Sequence, residues 1–271
     1  SEKLFNHAIE VTDKKYPSFV GIYNNLGVVL NKQLKFKEAM VHLKSAVKLQ
    51  PTYSEAHNNL GNSLSGLSRF HEANISYREA IRLNPDYPEA HNNLANSLVK
   101  MLNFHDAIPH YLTAIRHKPE FAKAHFNLGT TFNLKDFAGN NNEVAIMHLT
   151  EAIRLEPNFS EAHLTLGHII LEKNDFNQGH LKTAIHHFKI STKIDPNNAI
   201  AHNSLGSTLA GQRNFKQAIE HFNTALKINP RYVEAHQNLG TAFSILGKTE
   251  KATYHFKVAD DIRITSSSWF H

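Results

Sequence analysis

The hexapeptide Glu-Ala-His-Asn-Asn-Leu occupies residues 55–60 and recurs at residues 89–94, which is 34 residues later. The pattern of Ala-His, followed three positions after the histidine by Leu and then by Gly or Ala, extends through most of the chain. Its histidines are His57, His91, His125, His163, His202 and His236, and Tyr23 takes the histidine position in an earlier copy. Self-similarity at a period of about 20–50 residues is typical of stacked supersecondary units. The sequence therefore predicts a repeat array rather than a globular domain.

Each repeat contains two runs with the spacing of a helix face. In the second repeat the runs are Ala56, Leu60, Gly61 and Leu64, then Ala73, Tyr77, Ala80 and Ile81. The second run ends at Asn84 because Pro85 disfavours the helical conformation in the residue before it. Small residues such as Gly61 and Ala73 predict positions where two helices approach closely. The chain is therefore predicted to be all-α and built from helix pairs.

The 271 residues are predicted to form one solenoid whose repeats end near regularly spaced prolines. The predicted division is a half repeat at 1–17, repeats at 18–51, 52–85, 86–119, 120–157, 158–196, 197–230 and 231–263, and a tail at 264–271. The half repeat implies that the chain is a piece of a longer protein. Two repeats are longer than the others, and their extra residues, at 139–142 and 177–181, predict loops between paired helices.

Composition excludes several classes of function. The net charge is +5, but only 20% of the residues are charged and no long run of like charges occurs, which argues against a nucleic-acid groove. Cysteine is absent, which excludes disulfides, thiolate nucleophiles and cysteine-ligated zinc. No apolar run is long enough for membrane insertion by this segment. Because no catalytic or phosphate-binding motif stands out, we expect no enzyme activity and no cofactor.

The repeat resembles the tetratricopeptide repeat. The resemblance rests on the Leu-Gly pair, the small residues Ala73 and Ala80, the aromatic Tyr77 and the closing Pro85, and it covers nearly all of residues 20–263. It implies a right-handed superhelix of antiparallel helix pairs, in which the first helices line a concave groove that binds proteins or peptides. A pentatricopeptide RNA reader is not favoured, since it would have a period of 35 residues and a basic surface.

Asparagines recur at the position just before the Leu-Gly pair. They are Asn25, Asn59, Asn93, Asn127 and Asn238, with Thr165 and Ser204 in the remaining two repeats, and Asn62 and Asn96 form a partial second row. In the family this position faces the groove, and the arrangement is similar to the asparagine ladder of O-linked N-acetylglucosamine transferase. A primary amide both donates and accepts hydrogen bonds, so the asparagines are predicted to bind a peptide main chain. Alternatively, they cap or solvate neighbouring side chains.

Histidine is unusually frequent, with 20 residues. Six occupy the Ala-His position and six more lie in second helices, so the repeat explains them as packing or surface residues. A metal site is not expected, because ligands must converge within a few ångströms and stacked helices lie about 8–10 Å apart. We expect the Ala-His imidazoles to be partly buried and neutral, and the protein to lose stability in acid.

The sequence therefore predicts a protein-interaction scaffold that binds an extended peptide of a protein partner in an amide-lined groove. Two alternatives stay open: a substrate-recognition arm of a larger glycosyltransferase, of the O-linked N-acetylglucosamine or O-mannosyl type, and a solenoid that self-associates through its terminal repeats. A clamp for a carboxylate terminus is not expected, because acids such as Glu55 and Glu89 occupy positions where that clamp has cations.

Overall fold

The computed structural model describes residues 18–134, 141–172 and 178–267, and every regular element in these ranges is a helix. The helices are α1 (Ser18–Lys32), α2 (Phe36–Leu49), α3 (Ser54–Gly66), α4 (Phe70–Leu83), α5 (Pro88–Lys100), α6 (Phe104–His117), α7 (Ala122–Phe132), α8 (Asn142–Leu155), α9 (Ser160–Glu172), α10 (Gln178–Ile194), α11 (Ala199–Gly211), α12 (Phe215–Ile228), α13 (Val233–Ile245) and α14 (Thr249–Ser267). The predicted half repeat at 1–17 and parts of both predicted long loops lie outside the described residues.

The chain divides into two compact units, Ser1–Asn141 and Asn142–His271. In the first unit α1 packs on α2, α3 on α4 and α5 on α6, and each second helix also contacts the first helix of the following repeat. In the second unit the same pattern holds for α9 with α10, α11 with α12 and α13 with α14. The predicted all-α solenoid of about seven helix pairs is therefore confirmed, whereas the predicted residue limits of the repeats remain a proposal.

The core is a line of small and large residues that alternate between paired helices. Tyr77 is 2% exposed and Ala73 is fully buried, and both belong to one cluster with Leu60 and Leu64. A Cβ atom on Gly61 would lie 2.5 Å from the ring of Tyr77. Glycine at this position therefore lets the tyrosine ring pack directly against the backbone of α3.

Replacing Gly61 by Ala should change the free energy of unfolding by less than about 1 kcal/mol. The ring of Tyr77 must shift, but alanine gains about 0.5–1 kcal/mol over glycine inside a helix. The third repeat already carries this arrangement, with the buried Ala95 beside the buried Tyr111. Gly61→Leu should instead cost about 1–3 kcal/mol through overpacking. Urea denaturation followed by circular dichroism compares the two variants, and equal losses would contradict the close-packing argument.

One sequence prediction about a loop between paired helices is wrong. Residues 178–181 form the first turn of α10 rather than a loop, and α10 has 17 residues where α12 has 14. An insertion of about one helical turn lengthens the helix because each added residue gains a backbone hydrogen bond. The last helix, α14, continues to Ser267. No proline follows Arg263 to end this helix, unlike the second helices of earlier repeats.

Candidate functional site

The predicted peptide-binding asparagines lie on the first helices of successive repeats. Asn59 and Asn62 are one turn apart on α3, and Asn93 and Asn96 occupy the same positions on α5. Residues three apart in a helix share a face, so the two rows run side by side. Asn25 on α1 is exposed, and the other predicted site residues, including Asn127 on α7 and Asn238 on α13, are half-buried.

The first row forms hydrogen bonds between repeats. In each case the side-chain Nδ2 donates to the Oδ1 of a buried asparagine in the preceding repeat. The pairs are Asn59 with Asn24 at 2.9 Å, Asn93 with Asn58 at 3.0 Å, Asn127 with Asn92 at 2.9 Å and, in the second unit, Asn238 with Asn203 at 3.0 Å. These acceptors were not predicted from the sequence, although the repeated Asn-Asn doublet was a signal for them. The alternative prediction, that the asparagines bind neighbouring side chains, therefore holds for the NH2 groups of these amides, which donate to the preceding repeat.

The carboxamide oxygens of the first row are not used in these hydrogen bonds between repeats. In the described part of the chain, no donor lies within hydrogen-bonding distance of Oδ1 of Asn59, Asn127 or Asn238. These side chains are half-buried rather than enclosed. A carboxamide oxygen in this position can accept a hydrogen bond from a ligand N–H.

The second row has the opposite polarity. The hydroxyl of Tyr77 donates to Oδ1 of Asn62 at 2.9 Å, and the hydroxyl of Tyr111 donates to Oδ1 of Asn96 at 2.6 Å. Burial raises the pKa of both tyrosines, which keeps the hydroxyls protonated as donors. Within the described residues, Nδ2 of Asn62 and of Asn96 has no acceptor. The second row therefore presents amide donors beside the acceptors of the first row.

In the second unit the row contains other polar residues. The hydroxyl oxygen of Ser204 lies 2.7 Å from Nε2 of His168, and Thr165 holds the equivalent position one repeat earlier. Burial lowers the pKa of His168, so its ring is neutral at pH 7. Asn238 is the asparagine that the second unit contributes to the first row. The two-row arrangement is therefore most complete on α3 and α5 of the first unit.

Other kinds of site receive less support from the described residues. In those ranges no group of three or more histidine, cysteine or acidic side chains is placed to hold a metal ion. None of the helices described is both long and apolar enough to cross a bilayer. Glu89 forms an ion pair of 2.9 Å with Lys118, so this acidic side chain is engaged within the repeat array.

Four segments, which overlap in two pairs, match tetratricopeptide repeat family models. Models described as "Tetratricopeptide repeat" match residues 92–138, 199–232 and 221–254, and one described as "TPR repeat" matches residues 67–101. Matches to the tetratricopeptide repeat thus occur in both compact units. No curated protein sequence matches the chain.

Solved tetratricopeptide structures have the same fold. MamA is 22% identical, with 65% of this chain and 97% of MamA covered at a TM-score of 0.56. YrrB, described as a TPR protein with an unusual peptide-binding site, is 24% identical, with 71% of this chain and 95% of YrrB covered at a TM-score of 0.53. PilF of Pseudomonas aeruginosa is 18% identical, with 74% of this chain and 88% of that chain covered at a TM-score of 0.65. At these identities the likeness establishes the fold alone.

Proposed function

We propose that the chain is a protein-interaction scaffold that binds an extended peptide segment along the asparagine rows of its first unit. The observation that carries this proposal is the complementary polarity of the rows. Asn59 and Asn127 offer carboxamide oxygens, whereas Asn62 and Asn96 offer amide N–H groups. An extended peptide presents both N–H and C=O groups, and main-chain recognition of this kind gives affinity with little dependence on sequence.

The spacing of the repeats fits an extended ligand. Packed helices lie about 8–10 Å apart, and an extended chain rises about 3.3 Å per residue. One repeat therefore corresponds to about three peptide residues. The three first helices α3, α5 and α7 together would engage a segment of about nine residues.

The hydrogen bonds between repeats prepare the rows for binding. Each first-row amide is held by its donor side at 2.9–3.0 Å, and the Asn62 and Asn96 amides are held by tyrosine hydroxyls. Groups that are already fixed lose less conformational entropy when a ligand binds. The contacts that stabilise the array therefore also orient the first-row oxygens and the second-row NH2 groups toward a ligand.

Replacing Asn59, Asn93 and Asn127 together by Ala should weaken binding of a peptide by about 0.5–1.5 kcal/mol per lost hydrogen bond. The probe is a peptide selected for binding to the parent protein from a random linear library, and its affinity is measured by calorimetry. Helix content by circular dichroism should stay unchanged. Unaltered affinity in the triple variant would exclude the asparagine rows as the binding site.

Asn238→Ala is the matched control for this experiment. It removes the same kind of hydrogen bond, to Asn203 at 3.0 Å, but it lies in the second unit, away from the proposed site. We expect a small loss of stability and no loss of peptide affinity. An equal loss of affinity in this variant would place the binding site elsewhere. The glycosyltransferase-arm and self-association alternatives stay predictions of the sequence.

A further inference from the structure

Histidines of the two helices in a repeat meet in pairs. The Nδ1–Nδ1 distances are 2.9 Å for His91 with His110, 3.0 Å for His163 with His187, 3.1 Å for His202 with His221 and 3.0 Å for His236 with His255. In every pair Nε2 of the first histidine also lies 3.0–3.2 Å from the carbonyl oxygen of the proline six residues earlier. The second imidazole therefore fills a defined space beside the first.

The second repeat lacks the second imidazole. His57 has the usual position, with Nε2 2.8 Å from the carbonyl oxygen of Pro51. Ser76 stands where the repeat to either side has a histidine, His42 or His110, and its hydroxyl donates to the carbonyl oxygen of Glu72 at 3.2 Å. Nδ1 of His57 has no hydrogen-bond partner among the described residues, although the side chain is only 9% exposed.

A pocket of about 590 Å³ lies beside His57 and Ser76. His57 and Ser76 line it, and Val47, Leu60 and Ile75 supply apolar walls from α2, α3 and α4. None of the asparagines of the two rows lines this pocket. The pocket is larger than one imidazole, so it also has room for part of the chain that carries such a ring.

The hydrogen bond of His57 to Pro51 fixes what an occupant must offer. A carbonyl oxygen can only accept, so Nε2 of His57 donates and carries the proton. In the neutral imidazole, Nδ1 is then an acceptor with an unused lone pair. An occupant must therefore bring a hydrogen-bond donor, and in four other repeats a second imidazole ring is what supplies it.

A positive charge at the pocket favours an occupant that also carries a carboxylate. Glu79 lines the pocket and is paired with Arg82 at 2.7 Å. Arg78 also lines it, and its side chain is exposed and forms no ion pair with any described residue. A guanidinium in this position can bind a carboxylate.

We propose that this pocket binds the imidazole of a histidine side chain presented by a partner polypeptide, with an acidic residue next to that histidine contacting Arg78. The imidazole of the partner would donate its N–H to Nδ1 of His57 and contact Val47 and Ile75. This site is separate from the asparagine rows and does not depend on the peptide-binding function proposed for them.

The first test uses free imidazole and 1-methylimidazole as probes at pH 8.5, where both are neutral. Titrations are followed by NMR of the His57 ring. Imidazole should bind at least about fivefold more tightly, because 1-methylimidazole has no N–H to donate. Equal affinity of the two probes would overturn the proposal.

Two variants locate the site. Ser76→His supplies the missing ring from the chain itself and should abolish imidazole binding, whereas Ser76→Ala should retain it. His57→Tyr, which copies the residue at position 23, should also remove binding through loss of the acceptor, and it serves as a second test if Ser76→His is poorly folded. Retention of binding in folded Ser76→His or His57→Tyr would overturn the assignment of the pocket.

The second test addresses the source of the ring. A capped Ala-His-Glu peptide should bind at least about fivefold more tightly than free imidazole and than a capped Ala-His-Lys peptide. In Arg78→Glu the preference between the two peptides should reverse. If neither peptide binds more tightly than free imidazole, the partner-polypeptide assignment is wrong. An unchanged preference in Arg78→Glu would exclude the proposed contact with an acidic residue.

Discussion

Replacing Tyr111 by Ala should lower the stability of the first unit by about 3–5 kcal/mol, the usual cost of deleting a buried aromatic ring. The Tyr111 side chain is only 1% exposed and belongs to the main hydrophobic cluster of that unit, with Leu94, Leu98 and Leu128. The ring therefore joins the third repeat to the first helix of the next one. Removing it leaves a cavity that touches two repeats.

Tyr111→Phe separates the hydroxyl from the ring. It removes the hydroxyl that donates to Asn96 at 2.6 Å and keeps the ring, which should cost about 0.5–1.5 kcal/mol. The chain provides a precedent, because Phe222 fills the same position in the second unit and is 1% exposed. Without the tyrosine donor, the Asn96 amide is free to rotate, so we also expect weaker peptide binding in Tyr111→Phe.

Repeat arrays unfold in parts, because each repeat contacts only its neighbours. Urea denaturation should therefore be combined with amide hydrogen exchange, which reports the stability of α5, α6 and α7 separately from that of the second unit. The loss in Tyr111→Ala should be concentrated in those three helices. A uniform loss over both units, or a loss below about 1 kcal/mol, would contradict the packing role assigned to Tyr111.

The helix pairs could be predicted from the sequence because the buried positions recur with the same period as the sequence repeat. Positions such as Ala73, Tyr77 and Ala80 recur in every repeat, and their spacing defines a buried face. The turns were harder to predict. Leu34, Ser68 and Leu102 have positive φ values of 58–61°, a conformation that usually favours glycine. Arg213 has a φ of 62°, and among the described residues with positive φ only Gly247 is a glycine.

The sequence indicated which helix faces carry the candidate asparagines but not what their side chains contact. The repeat placed Asn59 and Asn93 at equivalent positions on the first helices of successive repeats. It could not show that Asn24 and Asn58 use the donor half of these amides, since that contact depends on how consecutive repeats stack. It also could not show that Tyr77 holds Asn62, because the hydroxyl reaches across from the second helix.

The histidine pairs illustrate the same limit. Both sets of histidines were visible in the sequence, and 19 residues separate His91 from His110 as well as His202 from His221. Sequence spacing alone could not establish that Nδ1 atoms of different helices meet at about 3 Å. The structure shows this contact, and it adds the second histidine of each pair to the groups expected to respond to acid.

Acid should destabilise the protein through these pairs, and replacing the second histidine should reduce the effect. Burial, followed by the neighbouring histidine, lowers the pKa of His110 and of His187 to about 4. Burial also lowers the pKa of His91 and His163. In the neutral pair Nδ1 of the second histidine donates to Nδ1 of the first. A first extra proton can go to Nε2 of the second ring and keep this hydrogen bond, but protonation of both rings would place two Nδ1–H donors against each other.

The direction of the pH effect follows from these pKa values. In the unfolded chain a histidine titrates near 6.5, so the unfolded state binds protons first as the pH falls. The stability from neutral His110 and His187 is therefore complete above about pH 6.5 and is lost progressively toward pH 4. A shift of about 2.5 pH units corresponds to about 3.4 kcal/mol. Because these rings are partly exposed, solvent screening reduces the expected contribution to about 1–2 kcal/mol each.

Other charges near the first pair act in both directions. Arg78, Arg116 and His117 lower the pKa values of the pair, whereas Asp86 and Asp106 raise them. Since the shift in each ring results first from burial, added salt should change the acid sensitivity only slightly. A strong dependence on salt would instead indicate that the surrounding charges determine the effect.

The test compares His110→Ser with His71→Ser by urea denaturation at pH 7.5 and pH 5.0. Serine at position 110 copies Ser76, the residue that the second repeat already has, and removes a ring whose pKa is about 4. His71 is exposed on the neighbouring second helix α4, so His71→Ser removes a histidine without breaking a pair. The drop in unfolding free energy between the two pH values should be about 1 kcal/mol smaller in His110→Ser than in the parent, and unchanged in His71→Ser. If His110→Ser loses as much stability in acid as the parent, the pairs cannot be the source of the pH sensitivity, because the remaining imidazole of the broken pair no longer faces a second ring.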